Sequence, residues 1–266
     1  GPAVSDGQYI SFKGNYTDPS DLLGKTGVYF RDVIPAAPMA PIPAIQVVAN
    51  SNSRIPNQPP GGTTKFGSTA PPSAANGYMV FTGFDIEEAP TLGGVYRAPL
   101  APLPQLQTLI GVGDQVPAEP AGSTFTVFGE GLSISADGRY TSFWGAWGSE
   151  TFPKVLHCAA DGNADVIAYC LANADNHLVN IPVHQGIFVH DADTGQTYPI
   201  AKTGNDGIVD FLYWVFSGRP PGTGGGDEPT LEPPRWRSSA FAALYGMPGN
   251  AVQTAFKAGK AGLDGI

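Results

Sequence analysis

The stretch YISFKG at Tyr9–Gly14 returns as YMVFTG at Tyr78–Gly83, as YTSFWG at Tyr140–Gly145 and, more loosely, as FAALYG at Phe241–Gly246. Each copy places an aromatic residue first, a bulky apolar residue three positions on, and glycine two positions after that. The turn pairs Asp6-Gly7, Asn76-Gly77 and Asp137-Gly138 stand just before the first three copies. Such pairs favour the positive φ of tight hairpins, so each copy reads as a strand leaving a turn. One strand written several times means stacked supersecondary units, each unable to bury its apolar face alone.

Working outward, each signature is followed by a second short strand: Gly27–Asp32 (GVYFRD), Gly94–Ala98 (GVYRA) and Gly186–Asp191 (GIFVHD). A third follows at Ile45–Ala49, Leu106–Ile110 and Thr197–Ala201. The next loops align in their first two copies. Gln46 and Pro56 are spaced as Gln107 and Pro117 are, and a Pro/Gly run then leads to Phe66-Gly67 and to Phe128-Gly129. The third copy is looser, from Gln196 through Gly204 to Phe211, and a fourth strand near Leu132–Ser135 leads back into the signature. About four antiparallel strands per unit are meander blades, and repeated blades build a propeller. The expected fold is therefore all-β, a β-propeller of four or five antiparallel meander blades with an irregular last unit. Residues 3–246 form the repeat-built propeller. Residues 247–266 are a C-terminal tail or an incomplete last blade, with the Ala-rich Ala251–Gly262 as a short helix or frayed tail because Ala is the best helix former. The terminal units either meet to close the ring or associate with neighbouring copies through exposed edges.

SADGRYTSF (Ser135–Phe143) followed by GIFVHDADTGQTYPI (Gly186–Ile200) resembles the PD40/TolB-type propeller repeat, in which a DGR strand precedes a strand ending in Asp-x-x-Thr-Gly. The loop Val47–Gly67 and the strand Asn76–Gly83 are similar to the tandem NxxGxxAF-type repeats of secreted bacterial proteins, with Ala74 and Ser135 departing from the expected Asn. The resemblance covers most of residues 3–246. It implies a blade plan and leaves function open.

Composition narrows the classes. Thirty-five Gly and 26 Pro with only 14% charged residues describe many short strands and tight turns, while 42% hydrophobic residues suffice for a core. The net charge of −9 argues against nucleic acid and against an anionic membrane surface. No stretch reaches the ~18 apolar residues of a membrane span. No signal peptide is visible, which fits a mature or trimmed form, and Gly1-Pro2 reads as a scar of tag removal. Cys158 and Cys170 flank Asp161-Gly162-Asn163 between strand-like residues. A hairpin there brings the sulfurs into bonding range, closing a loop worth roughly 3 kcal/mol. A disulfide suits a secreted, extracellular protein, as does the sequon Asn15–Thr17.

Several groups could carry chemistry. All four histidines lie between His157 and His190, and on one continuous strand His184 and His190 share a face, where a proton-transfer site with Arg235 is conceivable. Against it, no spacing matches a metal motif, Gly186 could break the strand, and His190 occupies an ordinarily exposed position. Asp191 and Asp193 stand at calcium-loop spacing but lack the remaining acidic ligands, so a hairpin turn is the competing reading. Trp144 and Trp147, in WGAWG, could be exposed beside small glycines and stack on sugar faces or anchor a protein, or they could pack between blades. Trp236 between Arg235 and Arg237 follows the acidic Gly222–Glu232 loop, and the arginines could clamp a carboxylate or pair with Asp227, Glu228 or Glu232. No nucleophile elbow, phosphate loop, dinucleotide fingerprint or zincin motif is present. The leading reading is a secreted, non-catalytic binding module for a glycan or an extracellular protein, without cofactor. A propeller lyase or hydrolase acting on polysaccharide and a structural segment of an extracellular assembly are the alternatives, because one fold hosts all three.

Overall fold

A computed structural model describes residues 2–17, 24–35, 37, 40–56, 58–87, 89–212, 214–217, 235–238, 241–246 and 251–261. The protein is built mostly of antiparallel strands. The first sheet is β1 (Ala3–Ser5), β2 (Tyr9–Thr17), β3 (Gly24–Asp32) and β4 (Gln46–Asn50), paired in chain order. In the second, β5 (Ser68–Thr69) and β6 (Ser73–Ala75) both pair with β7 (Tyr78–Phe84), which is followed by β8 (Gly93–Pro99) and β9 (Gln107–Gly111). The third has the same order: β10 (Phe125–Phe128) and β11 (Ser133–Ile134) on β12 (Tyr140–Leu156), then β13 and β14. Between β12 and β13 (His177–Asp191) lies a helix, α1 (Ala164–Asn173), and β14 is Gln196–Lys202.

The three signature strands share one register. Tyr9, Tyr78 and Tyr140 stand opposite Asp32, Pro99 and Asp191; Phe12, Phe81 and Phe143 opposite Tyr29, Tyr96 and Phe188; Gly14, Gly83 and Gly145 opposite Gly27, Gly94 and Gly186. A register shift falls at the same place each time, between Val28 and Tyr29, Val95 and Tyr96, and Ile187 and Phe188. The turns ahead of β2 and β7 take positive φ at both central residues, Asp6 and Gly7 at 56° and 63° and Asn76 and Gly77 at 49° and 69°. That is the hairpin geometry these pairs favour. Neighbouring turns are tied together: Gly77 N–H donates to Asp6 Oδ2 at 2.7 Å, and Asn76 Nδ2 donates to the Asp137 carbonyl at 2.7 Å.

Three cores separate successive sheets. Val28, Phe30 and Val48 meet Phe66, Met79, Phe81 and Tyr96 of the second sheet. Val80, Val95 and Leu109 on its other face meet Phe125, Phe128, Phe143, Trp147 and Phe188 of the third. Trp144, Ala146, Ile181 and Ile187 then pack on Phe211, Leu212 and Ala242. Between the first two cores the middle sheet is buried on both faces.

The glycines of the signature make this possible. A Cβ on Gly83 would lie 2.7 Å from the Phe66 ring, and one on Gly145 would lie 2.8 Å from the Phe125 ring. Each of these two glycines thus receives a phenylalanine from earlier in its own unit, Phe66 just before β5 and Phe125 at the start of β10. By register Phe66 corresponds to Phe125, since Ile55 N–H donates to the Thr64 carbonyl as Val116 N–H does to that of Ser123. The sequence alignment of Phe66 with Phe128 is corrected accordingly: the second loop is shorter, so counting along the chain overshoots.

The C-terminal part departs from the sequence reading. Phe241–Gly246 is not a fourth signature strand. Phe241 makes an isolated bridge to Gly131, and β18 (Ala242–Tyr245) pairs with β19 (Gln253–Phe256). β15 (Ile208–Asp210) pairs with β20 (Gly259–Lys260), as β5 pairs with β7. Phe211 lies edge-on to Phe256 at 5.5 Å as Phe128 does to Phe143 at 5.7 Å, and Ile208 and Asp210 face Lys260 and Gly259 with the same shift by which Phe125 and Val127 face Trp147 and Ala146. The strand corresponding to the signature is therefore QTAF at Gln253–Phe256. The Ala-rich stretch expected as helix or tail is strand because cross-strand pairing overrides a weak local preference. β16 (Trp214–Ser217) and β17 (Arg235–Ser238) form a separate hairpin.

Cys158 and Cys170 are disulfide-bonded, with Cα atoms 5.9 Å apart. The segment between them is not the expected hairpin. Asn163 caps α1, its Oδ1 accepting from the N–H groups of Asp165 and Val166, and Asp165 lies in the first turn. Ile167 is half-buried and Cys170 buried, three positions apart on one helical face.

Candidate functional site

β12 and β13 run for 17 and 15 residues, against 7 each for β7 and β8. Where they outgrow the sheet, the ladder shifts between Trp147 and Thr151, and Gly148 takes φ +74°. Just before this irregularity Trp147 stands opposite His184. Their rings stack at 5.9 Å with an interplanar angle of 22°. The indole is buried, braced edge-on by Phe188 at 6.0 Å, while the imidazole is half-exposed. A Cβ on Gly148 would come within 3.2 Å of the imidazole, so the glycine leaves room for the ring as well as the turn.

The opposite wall is the loop between β9 and β10. Gln115 holds it from inside, its Nε2 donating to the carbonyls of Val116, Glu119 and Pro120 and its Oε1 accepting from Gly122 N–H. Lys202 of β14 ties the same loop down, pairing with Glu119 and donating to the Ala118 carbonyl at 3.4 Å. Between loop and rings opens a cleft of about 410 Å³ lined by Glu119, Ser123, Thr124, Thr126, Trp147 and His184, among others. Glu150 Oε2 lies 3.6 Å from His184 Nε2. Thr126 spends its hydroxyl on the Ala146 carbonyl. The lining therefore offers one aromatic face backed by a fixed indole, together with Ser123 and Thr124, and with the Glu150 carboxylate beside His184. The Lys202 ammonium beside it is neutralised by Glu119.

Among the candidates read from the sequence, the structure brings Trp147 and His184 together. Trp144 and Trp147 are not exposed: three positions apart on a strand, they point to opposite faces and enter different cores. Trp144 Nε1 donates to Gln185 Oε1 at 3.1 Å, which satisfies its polar edge inside the core.

His190 shares a strand face with His184, and Gly186 does not interrupt β13, but the two are separated by six residues, roughly 20 Å. His190 is buried rather than exposed, its Nδ1 2.9 Å from Thr197 Oγ1. Burial, with Arg97 nearby, pulls its pKa below the ordinary value.

Asp191 is held bidentately by Arg139, with both contacts at 2.7 Å, and Asp193 lies 3.2 Å from the same guanidinium. That pairing depresses the Asp191 carboxyl to about 2. Asp191 Oδ1 also accepts from Asp193 N–H, so the pair forms an arginine-clamped turn and its carboxylates are already engaged. No cluster of three metal-ligating side chains occurs among the described residues. Arg235, Trp236 and Arg237 lie on β17, and their side chains, like the Gly222–Glu232 loop, fall outside the described residues.

Sequence reasoning missed the cleft because its two walls come from Glu119–Thr126 and from Trp147 with His184. The usable signal was the extra length of the third unit beyond its glycine pair. No protein-family model and no curated protein matches the chain.

Proposed function

We propose that the chain is a secreted, non-catalytic binding module on a propeller plan, and that it takes a neutral saccharide in the Trp147–His184 cleft. The plan is supported by three sheets with one register, packed face against face through continuous cores. The resemblance of Ser135–Phe143 and Gly186–Ile200 to the PD40/TolB-type repeat points the same way. The binding reading rests on the half-exposed imidazole stacked on a buried indole, in a cleft that Ser123 and Thr124 also line. An aromatic face covers the C–H side of a sugar, while hydroxyls and carboxylates meet its ring hydroxyls. Glu150 beside His184, with a net charge of −9, disfavours an anionic glycan. The test is a glycan array followed by calorimetric titration of the tightest neutral oligosaccharide. His184→Ala weakens binding at least about tenfold, or 1.4 kcal/mol. Equal affinity in the variant, or binding confined to anionic glycans, overturns the reading.

A further inference from the structure

Beyond the cleft, Thr151–Leu156 and His177–Pro182 continue as a two-stranded ribbon outside the sheet. Its two faces are unlike. Phe152, Val179 and Ile181 pack toward the body with Phe211, and Lys154 pairs with buried Asp210 at 2.8 Å. The other face has no such cover. Val155 and Leu178 stand directly opposite each other and are 47% and 61% exposed, with Thr151, Pro153 and Asn180 exposed beside them. Leu171 of α1 is a further exposed leucine in the same arm, at 56%.

The arm is stiff. The Cys158–Cys170 bond and α1 close its tip, Leu156 and Cys170 are buried within it, and Asp175 Oδ1 accepts from Cys158 N–H at 3.0 Å. Its edges are guarded. Pro153 stands opposite Asn180 and Pro182 opposite Thr151, rungs two apart and so of the same kind. Proline has no N–H for the partner strand, so both occupy rungs whose backbone groups point outward, one blocking each edge against a further strand. A pinned, stapled ribbon with blocked edges presents its side-chain face as the available surface.

We infer that the Val155–Leu178 face of this arm is a docking surface for a polypeptide segment carrying apolar side chains flanked by Lys or Arg. The apolar pair supplies the contact, and the charge of the arm as a whole sets the sign of the partner. Glu150, Asp161, Asp165 and Asp175 belong to the arm, while Lys154 is already paired on the opposite face. The same charge opposes an anionic lipid surface and a second copy of this acidic chain. A fixed arm loses little conformational freedom on docking, which favours binding by a small apolar contact.

The probe is a synthetic 18-residue Leu/Lys amphipathic helix, compared with a peptide of the same composition whose leucines are scattered around the helix. Titration of the full chain is followed by fluorescence anisotropy in physiological salt. The amphipathic peptide binds at least about tenfold more tightly than the scattered one, and Val155→Ser with Leu178→Ser removes that preference while leaving the net charge intact. Both substitutions sit on an exposed face, and unchanged thermal melting confirms that the fold survives. Equal binding of the two peptides, or a preference that survives in the double variant, overturns the inference. So does mass in solution that rises with concentration through Val155 and Leu178, or partition onto phosphatidylserine vesicles through the same pair. None of these outcomes depends on glycan binding at the cleft, which the His184→Ala variant reports separately.

Discussion

Adding one methyl group at Gly145 is the sharpest perturbation available to the third sheet. A Cβ there stands 2.8 Å from Phe125 Cε1, 3.0 Å from its Cδ1 and 3.5 Å from Phe128 Cδ1. Phe125 cannot turn aside. It is 1% exposed, with ring centroids 5.0 Å from Phe128, 5.0 Å from Phe188 and 6.3 Å from Phe143. Forcing extra volume into so tight a core costs about 1–3 kcal/mol. Alanine recovers roughly 0.5–1 kcal/mol of that, because glycine loses more backbone freedom on folding. The net expectation for Gly145→Ala is a loss of about 1–2 kcal/mol in urea unfolding, or a fall in Tm of roughly 2–8 °C for a chain of this size. In a Phe125→Ala background, itself costing about 3–5 kcal/mol, the ring is gone and the same change becomes neutral or stabilising. Gly83→Ala repeats the experiment against Phe66, whose ring lies 2.7 Å from the added atom. Wild-type stability of Gly145→Ala, or an equal loss with and without Phe125, would refute the account of why these glycines are present.

Two further outcomes follow from the site and the arm. Asp191 is held near 2 by Arg139, below the usual carboxylate value, so the stability it contributes is full above about pH 4 and disappears as the pH falls toward 2. Denaturation across that window should be steeper in the wild type than in Asp191→Asn, and identical profiles would remove the clamp from the stability argument. Reducing Cys158–Cys170 releases a loop worth roughly 3 kcal/mol, and its effect should be local. Hydrogen exchange then rises in Ala164–Asn173 while the amides of Tyr78–Phe84 keep their protection, whereas uniform loss would mean that the arm is no separate unit.

The parts of the fold legible in the sequence are those where local chemistry and tertiary packing agree. Asp6-Gly7 and Asn76-Gly77 make the turns their residue types favour, and Tyr–x–x–Phe–x–Gly makes strands in corresponding places. The errors arise where they diverge. QTAF at Gln253–Phe256 lacks the opening tyrosine and carries Ala258 where the other units have glycine, so an unrelated match at Phe241–Gly246 stood out instead. Val166-Ile167-Ala168-Tyr169 looks like strand in a short window. The N-cap at Asn163 and the Ala and Leu residues around Cys170 decide for helix, and that signal was readable. Burial of Trp144 and Trp147 was open because WGAWG places two indoles on opposite faces, and what covers each face comes from distant parts of the chain.

The placement of the cleft follows from the same comparison of units. Up to the glycine pair the three sheets are interchangeable: aromatic across from aromatic, glycine across from glycine, with one register shift at one place. Two positions beyond the pair they diverge. The first sheet has Tyr16 across from Lys25, the second has Asp85 donating its N–H to the Leu92 carbonyl, and the third has Trp147 across from His184. Packing constrains the shared positions tightly, since an added methyl meets the Tyr29 ring at Gly14, the Phe66 ring at Gly83 and the Phe125 ring at Gly145. Beyond the glycines Trp147 still packs in the core between the second and third sheets, but the ladder then shifts, lengthens and carries different side chains. The ladder of the third unit is extended past the glycines. In the third unit that region holds both the stacked rings of the cleft and the root of the disulfide-closed arm, so ligand recognition and partner docking belong to one extension of an otherwise common strand pair.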